Sequence, residues 1–397
     1  MELAQRLSRI AESQTIQMAK LSRELRAQGQ DIIDLSIGEP DFDTPQHIKD
    51  AAKKAIDEGY THYTPVPGYP ELRKAICEKL KRDNGVEYTP DRIVVSTGAK
   101  QSIANVVLSL VDPGDEVIIP TPYWVSYSEI VRLEKGEVVF VKGTFENEYK
   151  ITPEQLEAAI TPKSKLFIYS SPCNPTGSVY TQEELDGLAE VFKKHPQVFI
   201  ISDEIYEYIN YQGAHASLAK YDFLKDRLII VNGLSKGYAM TGWRLGYIAA
   251  PVPIAKACDK IQGQITSGTC SITQRAGITA LTSDMKPTHD MVAEFRRRRD
   301  YMVRTLRTIP GLKVTEPQGA FYVFPDVSAY YGKKAGDTVI TNADALCMYL
   351  IREAHISTVT GEAFGEPDCI RLSYAASMDK LEEALRRLKD ALAKLGD

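Results

Sequence analysis

The sequence predicts an α/β fold: a large domain over residues 45–286 on a mostly parallel sheet, and a smaller α+β domain from residues 1–44 and 287–397. Three observations carry this. Through the middle of the chain, short β-branched runs alternate with amphipathic stretches, the pattern of strand–helix–strand units. The runs are continuously apolar, as parallel strands covered on both faces are. The two ends lack this alternation and mix helical and strand patterns.

The elements follow in order. Residues 1–44 hold an amphipathic helix and an irregular loop rich in Gly, Pro and Asp. Ile93-Val94-Val95-Ser96 is the first strand, and a helix starts near Lys100. Glu116 to Ile119 precedes a helical pattern near Trp124 to Leu133. Further strands are read at Val138 to Val141, Lys165 to Tyr169, Val198 to Ile201, Arg227 to Val231 and Leu245 to Ala249. A long charged helix covers Val292 to Leu306, and a last one runs from about Met378 to Leu395 with Leu381, Leu385, Leu388 and Leu392 at helical spacing. Arg296 to Arg299 stand in a row, but successive residues point around a helix and Glu294 and Asp300 flank them. They predict a solvated, partly paired surface.

Composition excludes several classes. The 53 acids and 48 bases among 397 residues give a net charge of -5, which argues against a dedicated nucleic-acid surface. No apolar stretch approaches the roughly 20 residues that span a bilayer. Met1-Glu2-Leu3-Ala4-Gln5-Arg6-Leu7 places charges where a signal peptide has its apolar core. A cytoplasmic protein without membrane or nucleic-acid partners is expected. Six cysteines are scattered with no C-x-x-C pair, so reduced thiols and no metal site are expected.

The chemistry sits where strands end. After Val198 to Ile201 come Asp203 and Tyr206; after Arg227 to Val231 come Ser235, Lys236 and Arg244. An amine, an acid and a guanidinium at neighbouring strand ends are what a pyridoxal phosphate site needs. The amine takes the aldehyde, the acid keeps the ring nitrogen protonated, and the guanidinium holds the phosphate. Each residue has a plainer reading as well. Asp203 also suits a helix N-cap, and Tyr206 falls on its face if the segment is helical. Asn174 lies in the turn sequence Asn174-Pro175-Thr176-Gly177, at the sheet edge where α/β folds bind ligands. Gly98 and Ala99 join a strand to a helix, where backbone N–H groups can approach a phosphate. Trp124 offers a flat ring for stacking, or core packing. In Cys369-Ile370-Arg371-Leu372-Ser373-Tyr374 the alternation predicts a strand with Arg371 on its polar face, able to grip a carboxylate or to form a surface salt bridge.

Together these residues resemble class I pyridoxal-phosphate-dependent aminotransferases, in particular bacterial-type aspartate aminotransferases. The resemblance runs from Gly38-Glu39-Pro40-Asp41-Phe42, through Tyr60-Thr61-His62-Tyr63, to Ser235-Lys236-Gly237-Tyr238-Ala239-Met240-Thr241-Gly242-Trp243-Arg244 and Arg371-Leu372-Ser373-Tyr374. It implies fold type I, pyridoxal 5'-phosphate as cofactor, and transfer of an amino group from aspartate to 2-oxoglutarate. It implies Lys236, Asp203 and Tyr206 as catalytic groups. Asn174, Trp124, Gly98, Ala99, Lys100, Ser235 and Arg244 complete the cofactor site, with Tyr63 reaching the neighbouring subunit's phosphate in a homodimer with shared sites. Gly38 and Arg371 are implied for the α-carboxylate, with Trp124 and Asn174 beside it. Lys100, Ser13 and Thr15 are implied near the second carboxylate. There is no obvious counterpart of the side-chain arginine used by animal-type enzymes. The alternatives are a broad-specificity transaminase for aromatic amino acids, alanine or methionine, and a β-lyase. A DNA-binding regulator with an aminotransferase-like domain needs a helix-turn-helix unit for which the roughly 30 residues before the first motif are too few.

Overall fold

The computed structural model describes residues 3–12 and 14–396. The N-terminal part contributes helix α1 (Gln14–Ala27), strand β1 (Ile33–Asp34), α2 (Gln46–Asp57) and α3 (Pro70–Lys79). The central sheet follows as β2 (Ile93–Ser96), β3 (Glu116–Thr121), β4 (Glu137–Lys142), β5 (Ser164–Ser170), β6 (Phe199–Asp203), β7 (Leu228–Gly233) and β8 (Gly246–Ala249). Between and after these strands lie α4 (Ala99–Leu110), α5 (Ser126–Leu133), α6 (Pro153–Ala159), α7 (Gln182–Lys194), α8 (Val252–Ile265), α9 (Ser271–Thr282) and α10 (Lys286–Leu306). The last part comprises β9 (Tyr322–Val323), β10 (Lys334–Ala335), β11 (Thr338–Val339), α11 (Ala343–Tyr349), β12 (Ile356–Ser357), β13 (Val359–Thr360), β14 (Ile370–Ser373) and α12 (Met378–Ala393).

The seven central strands lie in the order β2-β8-β7-β6-β5-β3-β4. Only β8 runs against its neighbours, pairing antiparallel with both β2 and β7. The predicted, mostly parallel sheet is therefore present, and six strands point their carboxyl ends to one edge. Alternate residues of each strand enter different apolar clusters. Ile93, Val95, Ile200, Leu228 and Ile230 join one with α2, α3, α7 and α9, whereas Val94, Ile201, Ile229 and Val231 join another with α4, α5 and α8. Both faces are covered, which is why the strands read as unbroken apolar runs.

A third cluster draws on both ends of the chain. Ile33 and Leu35 meet Phe295, Met302 and Leu306 of α10 and the leucines of α12. Leu381, Leu385, Leu388 and Leu392 are all at most 4% exposed; burying each stabilises the fold by about 1.5–3 kcal/mol. The arginine row departs from the expected solvated face. Arg298 and Arg299 are buried. Arg298 bonds Asp41 at 2.7 Å and Glu294 at 2.9 Å, and Arg299 donates to the Pro317 carbonyl at 2.7 Å. Only Arg296 and Arg297 face solvent, so half of the row ties α10 to neighbouring loops.

Two local readings are corrected. No helix follows Asp203: it ends β6, and residues 205–208 form a turn closed by Glu207 N–H to the Glu204 carbonyl, 2.9 Å. The N-cap role therefore does not arise, and Tyr206 comes back toward Asp203 through a turn. Arg371 lies on a strand, but not on a polar face: all four residues of β14 are buried and Arg371 is 2% exposed.

Candidate active site

The carboxyl edge of the sheet opens into a cavity of about 420 Å³. Strand ends supply its wall. Trp124 follows β3, Asn174 follows β5, Asp203 ends β6, and Ser235 and Lys236 follow β7; all line the cavity, as do Gly38, Ala99, Lys100, Tyr206, Arg244, Arg371 and Thr15. The predicted residues thus converge, with three exceptions. Gly98 lies behind the lining, at the start of α4. Tyr63 is 99% exposed and stands outside the cavity. Ser13 lies outside the described residues.

Asp203 is 4% exposed. Its Oδ2 accepts the Tyr127 hydroxyl at 2.6 Å and its Oδ1 accepts the Ile205 N–H at 3.2 Å. Burial pushes its carboxyl up to about 6, against the pull of those two hydrogen bonds. Lys236 Nζ donates to the Gly38 carbonyl and sits 5.7 Å from the ring centres of both Tyr206 and Phe321. Burial brings its ammonium down to about 8; nearby Glu39 opposes this, and Arg371 and Arg244 reinforce it. Desolvation thus displaces the proton affinities of acid and amine toward each other.

The α4 start is built for close approach. Gly98 has φ +84°, which a side chain rarely adopts, and a Cβ there would fall 2.5 Å from an Arg244 Nη. Gly246, opening β8, is packed so tightly beneath that a Cβ would meet the Ala99 nitrogen at 2.3 Å. Arg244 is itself held left-handed at φ 55° with its Nη1 on the Thr241 carbonyl at 2.9 Å. This presents the first N–H groups of α4 and a guanidinium side by side, a ready anion cradle. Lys100 lies 4.9 Å above the Trp124 ring.

At the other end, Arg371 Nη1 donates to Asn174 Oδ1 at 3.0 Å and Nη2 to the Ser36 carbonyl. Its Nε has no hydrogen-bond partner although buried. Tyr322 stacks under the guanidinium at 4.6 Å and shares a hydroxyl contact of 2.8 Å with Tyr206.

Sequence reasoning missed Tyr127, Tyr322, Ser36 and the inward face of α1 beyond Thr15. Tyr127 stands one turn beyond Trp124, but nothing in the spacing marks it as the partner of Asp203; the others come from distant segments with no motif to mark them.

A half-buried lysine and a buried acid in one cleft, with an anion cradle and an unsatisfied arginine, define a site for amino-group chemistry on anionic compounds. The model of the aminotransferase class I and II family matches residues 30–388, and the chain belongs to that family. It is 48% identical over 99% of its length to the bifunctional aspartate aminotransferase and glutamate/aspartate-prephenate aminotransferase of Petunia hybrida, 83% of which is covered. It is 44% identical to the aspartate aminotransferase of Bacillus subtilis (strain 168), over 99% of this chain and 100% of that one. Among solved structures, the aspartate aminotransferase from Rhizobium meliloti superposes with a TM-score of 0.96 at 42% identity, covering 100% of both chains.

Proposed function

We propose that the protein is an aspartate aminotransferase that uses pyridoxal 5'-phosphate to move the amino group of L-aspartate to 2-oxoglutarate. The observation that carries this is the presence of Lys236 and the buried Asp203 in the lining of one cavity. The residues fit the cofactor. The α4 N-terminus with Arg244 and Ser235 suits its phosphate. Asp203, whose charged form burial disfavours, is satisfied by a cationic ring nitrogen. Trp124 offers a face to the ring. Asn174 gives its carbonyl oxygen to Arg371, so its amide NH₂ is left as a donor and, with the Tyr206 hydroxyl, suits a ring oxygen. Bound there, the cofactor supplies an electron sink for the substrate carbanion and carries the amino group between two half-reactions.

The remaining steps belong to the chain. Arg371 orients the substrate: its buried Nε lacks an acceptor, and an α-carboxylate provides one. Lys236, lowered to about 8, has a substantial neutral fraction near pH 7–8, so Nζ can take the proton from the substrate Cα and return it on the other side of the transfer.

The test is a half-reaction. Protein loaded with the cofactor absorbs visible light, and adding L-aspartate bleaches that band with release of oxaloacetate; no spectral change with any amino acid overturns the reading. A higher kcat/KM for phenylalanine than for aspartate moves it to the broad-specificity alternative. Pyruvate and ammonia release without an oxo-acid acceptor moves it to a β-lyase. Because the Petunia hybrida relative is named for prephenate as well as aspartate, prephenate belongs in the acceptor panel. We also propose a cytoplasmic homodimer in which Tyr63 serves the neighbouring site. The chain's own support is the full exposure of Tyr63 and the lack, among the described helices, of one long and apolar enough to cross a membrane.

A further inference from the structure

Helix α1 carries a positive charge into the cavity that no motif announces. Its two faces do different work. Met18, Leu21 and Leu25 pack against Ile32 and Ile351. Thr15, Ile16, Ala19 and Arg23, about a third of a turn around the helix, line the cavity instead. Arg26, one turn further on, is engaged: its Nε donates to the Ile32 carbonyl at 3.0 Å. Arg23 has no such tie; among the described residues its exposed guanidinium meets no carboxylate, carbonyl or ring.

The charge balance of the cavity gives it a purpose. Among the described residues, five cationic side chains line it (Arg23, Lys100, Lys236, Arg244 and Arg371) against one acid, Asp203. Within the reading above, Lys236 is the reacting amine, Arg244 serves the phosphate and Arg371 the α-carboxylate. Lys100, stacked over Trp124, is the lysine that the resemblance already implies near the second carboxylate. Arg23, on α1 beside the apolar Ile16 and Ala19, is a further cation lining the cavity to which none of these roles falls.

We propose that Arg23 is a specificity-determining residue that selects substrates bearing a second carboxylate. This rests on the proposed aminotransferase function and names the feature that sets its substrate class. A substrate filling the cavity covers the inward face of α1. With an apolar side chain it removes water from Arg23 and returns nothing. With a carboxylate it returns a charge-assisted hydrogen bond, bidentate where the geometry allows. One residue therefore favours dicarboxylates and disfavours neutral amino acids of similar size.

The experiment compares wild type, Arg23→Gln and Arg23→Lys as holoenzymes. The kcat/KM ratio of L-aspartate to L-alanine is measured, together with the Kd of succinate and of propionate by calorimetry. In Arg23→Gln the ratio falls by about tenfold and the Kd of succinate rises by about the same factor, while propionate shifts far less. Arg23→Lys recovers part of the loss, because it keeps the charge without the planar fork. An unchanged ratio and succinate Kd overturn the proposal. So does a parallel loss for aspartate and alanine, which marks a merely structural role. A wild type that turns over no amino donor overturns the aminotransferase reading instead, and the succinate and propionate measurements still decide the role of Arg23.

Discussion

At the residue scale, the chemistry rests on groups whose charged forms the fold disfavours. Asp203 is held at about 6, against an ordinary 3.8. In the cofactor-free protein, its contribution to stability is fully present below about pH 4 and is lost as pH rises through 6. Above that the buried carboxylate costs at most about 3 kcal/mol. Asp203→Asn is therefore expected to unfold at higher denaturant than wild type at pH 8 when free of cofactor. The two should coincide near pH 4, and a difference independent of pH would contradict the assignment. With cofactor bound the order should reverse, since the carboxylate then has a cation to face. Lys236 and Asp203 were legible in sequence because each directly follows an apolar run. Tyr127, whose hydroxyl holds Asp203, and Tyr322, which lies under Arg371, were not. Their roles depend on which helix or strand the fold brings alongside, and no spacing records that. The polar reading of Arg371 failed for the same reason: alternation marks two faces of a strand but not which of them another layer covers.

At the element scale, the contact of β8 with the start of α4 sets the cradle. In Gly246→Ala the new Cβ would lie 2.3 Å from the Ala99 nitrogen and 2.5 Å from the Gly98 carbonyl carbon. Both are backbone atoms, so the strand or the turn must shift. We expect a loss of about 1–3 kcal/mol, read as a lowered denaturation midpoint, with weaker retention of the cofactor. Gly263, within α8, is the control: its nearest neighbour is a Val66 methyl at 3.8 Å, so Gly263→Ala should be neutral or stabilise by up to about 1 kcal/mol through helix propensity. Equal effects at the two positions would refute the packing argument. The strands were legible nearly to the residue because both faces of the sheet are apolar. The loop after Asp203 was not, because a carboxylate before a short polar segment serves a turn as readily as a helix.

At the scale of the whole molecule, Tyr63 is a large aromatic left 99% exposed, which shared sites in a dimer would explain. Co-expressing Tyr63→Ala with Lys236→Ala tests this. If sites are shared, a hybrid dimer holds one site with neither change and one with both, so activity rises well above that of either parent. If each chain is self-sufficient, the mixture only averages them. Self-association was not readable from composition; it entered through the Tyr60-Thr61-His62-Tyr63 motif alone. The one-sided arrangement of the central sheet has a practical consequence. Every loop that reaches the cavity from the sheet leaves by one edge, while at the far edge Pro113-Gly114 and Pro162-Lys163 form short exposed connections before β3 and β5. Those two turns are where a fluorescent reporter could be inserted with the catalytic edge left undisturbed.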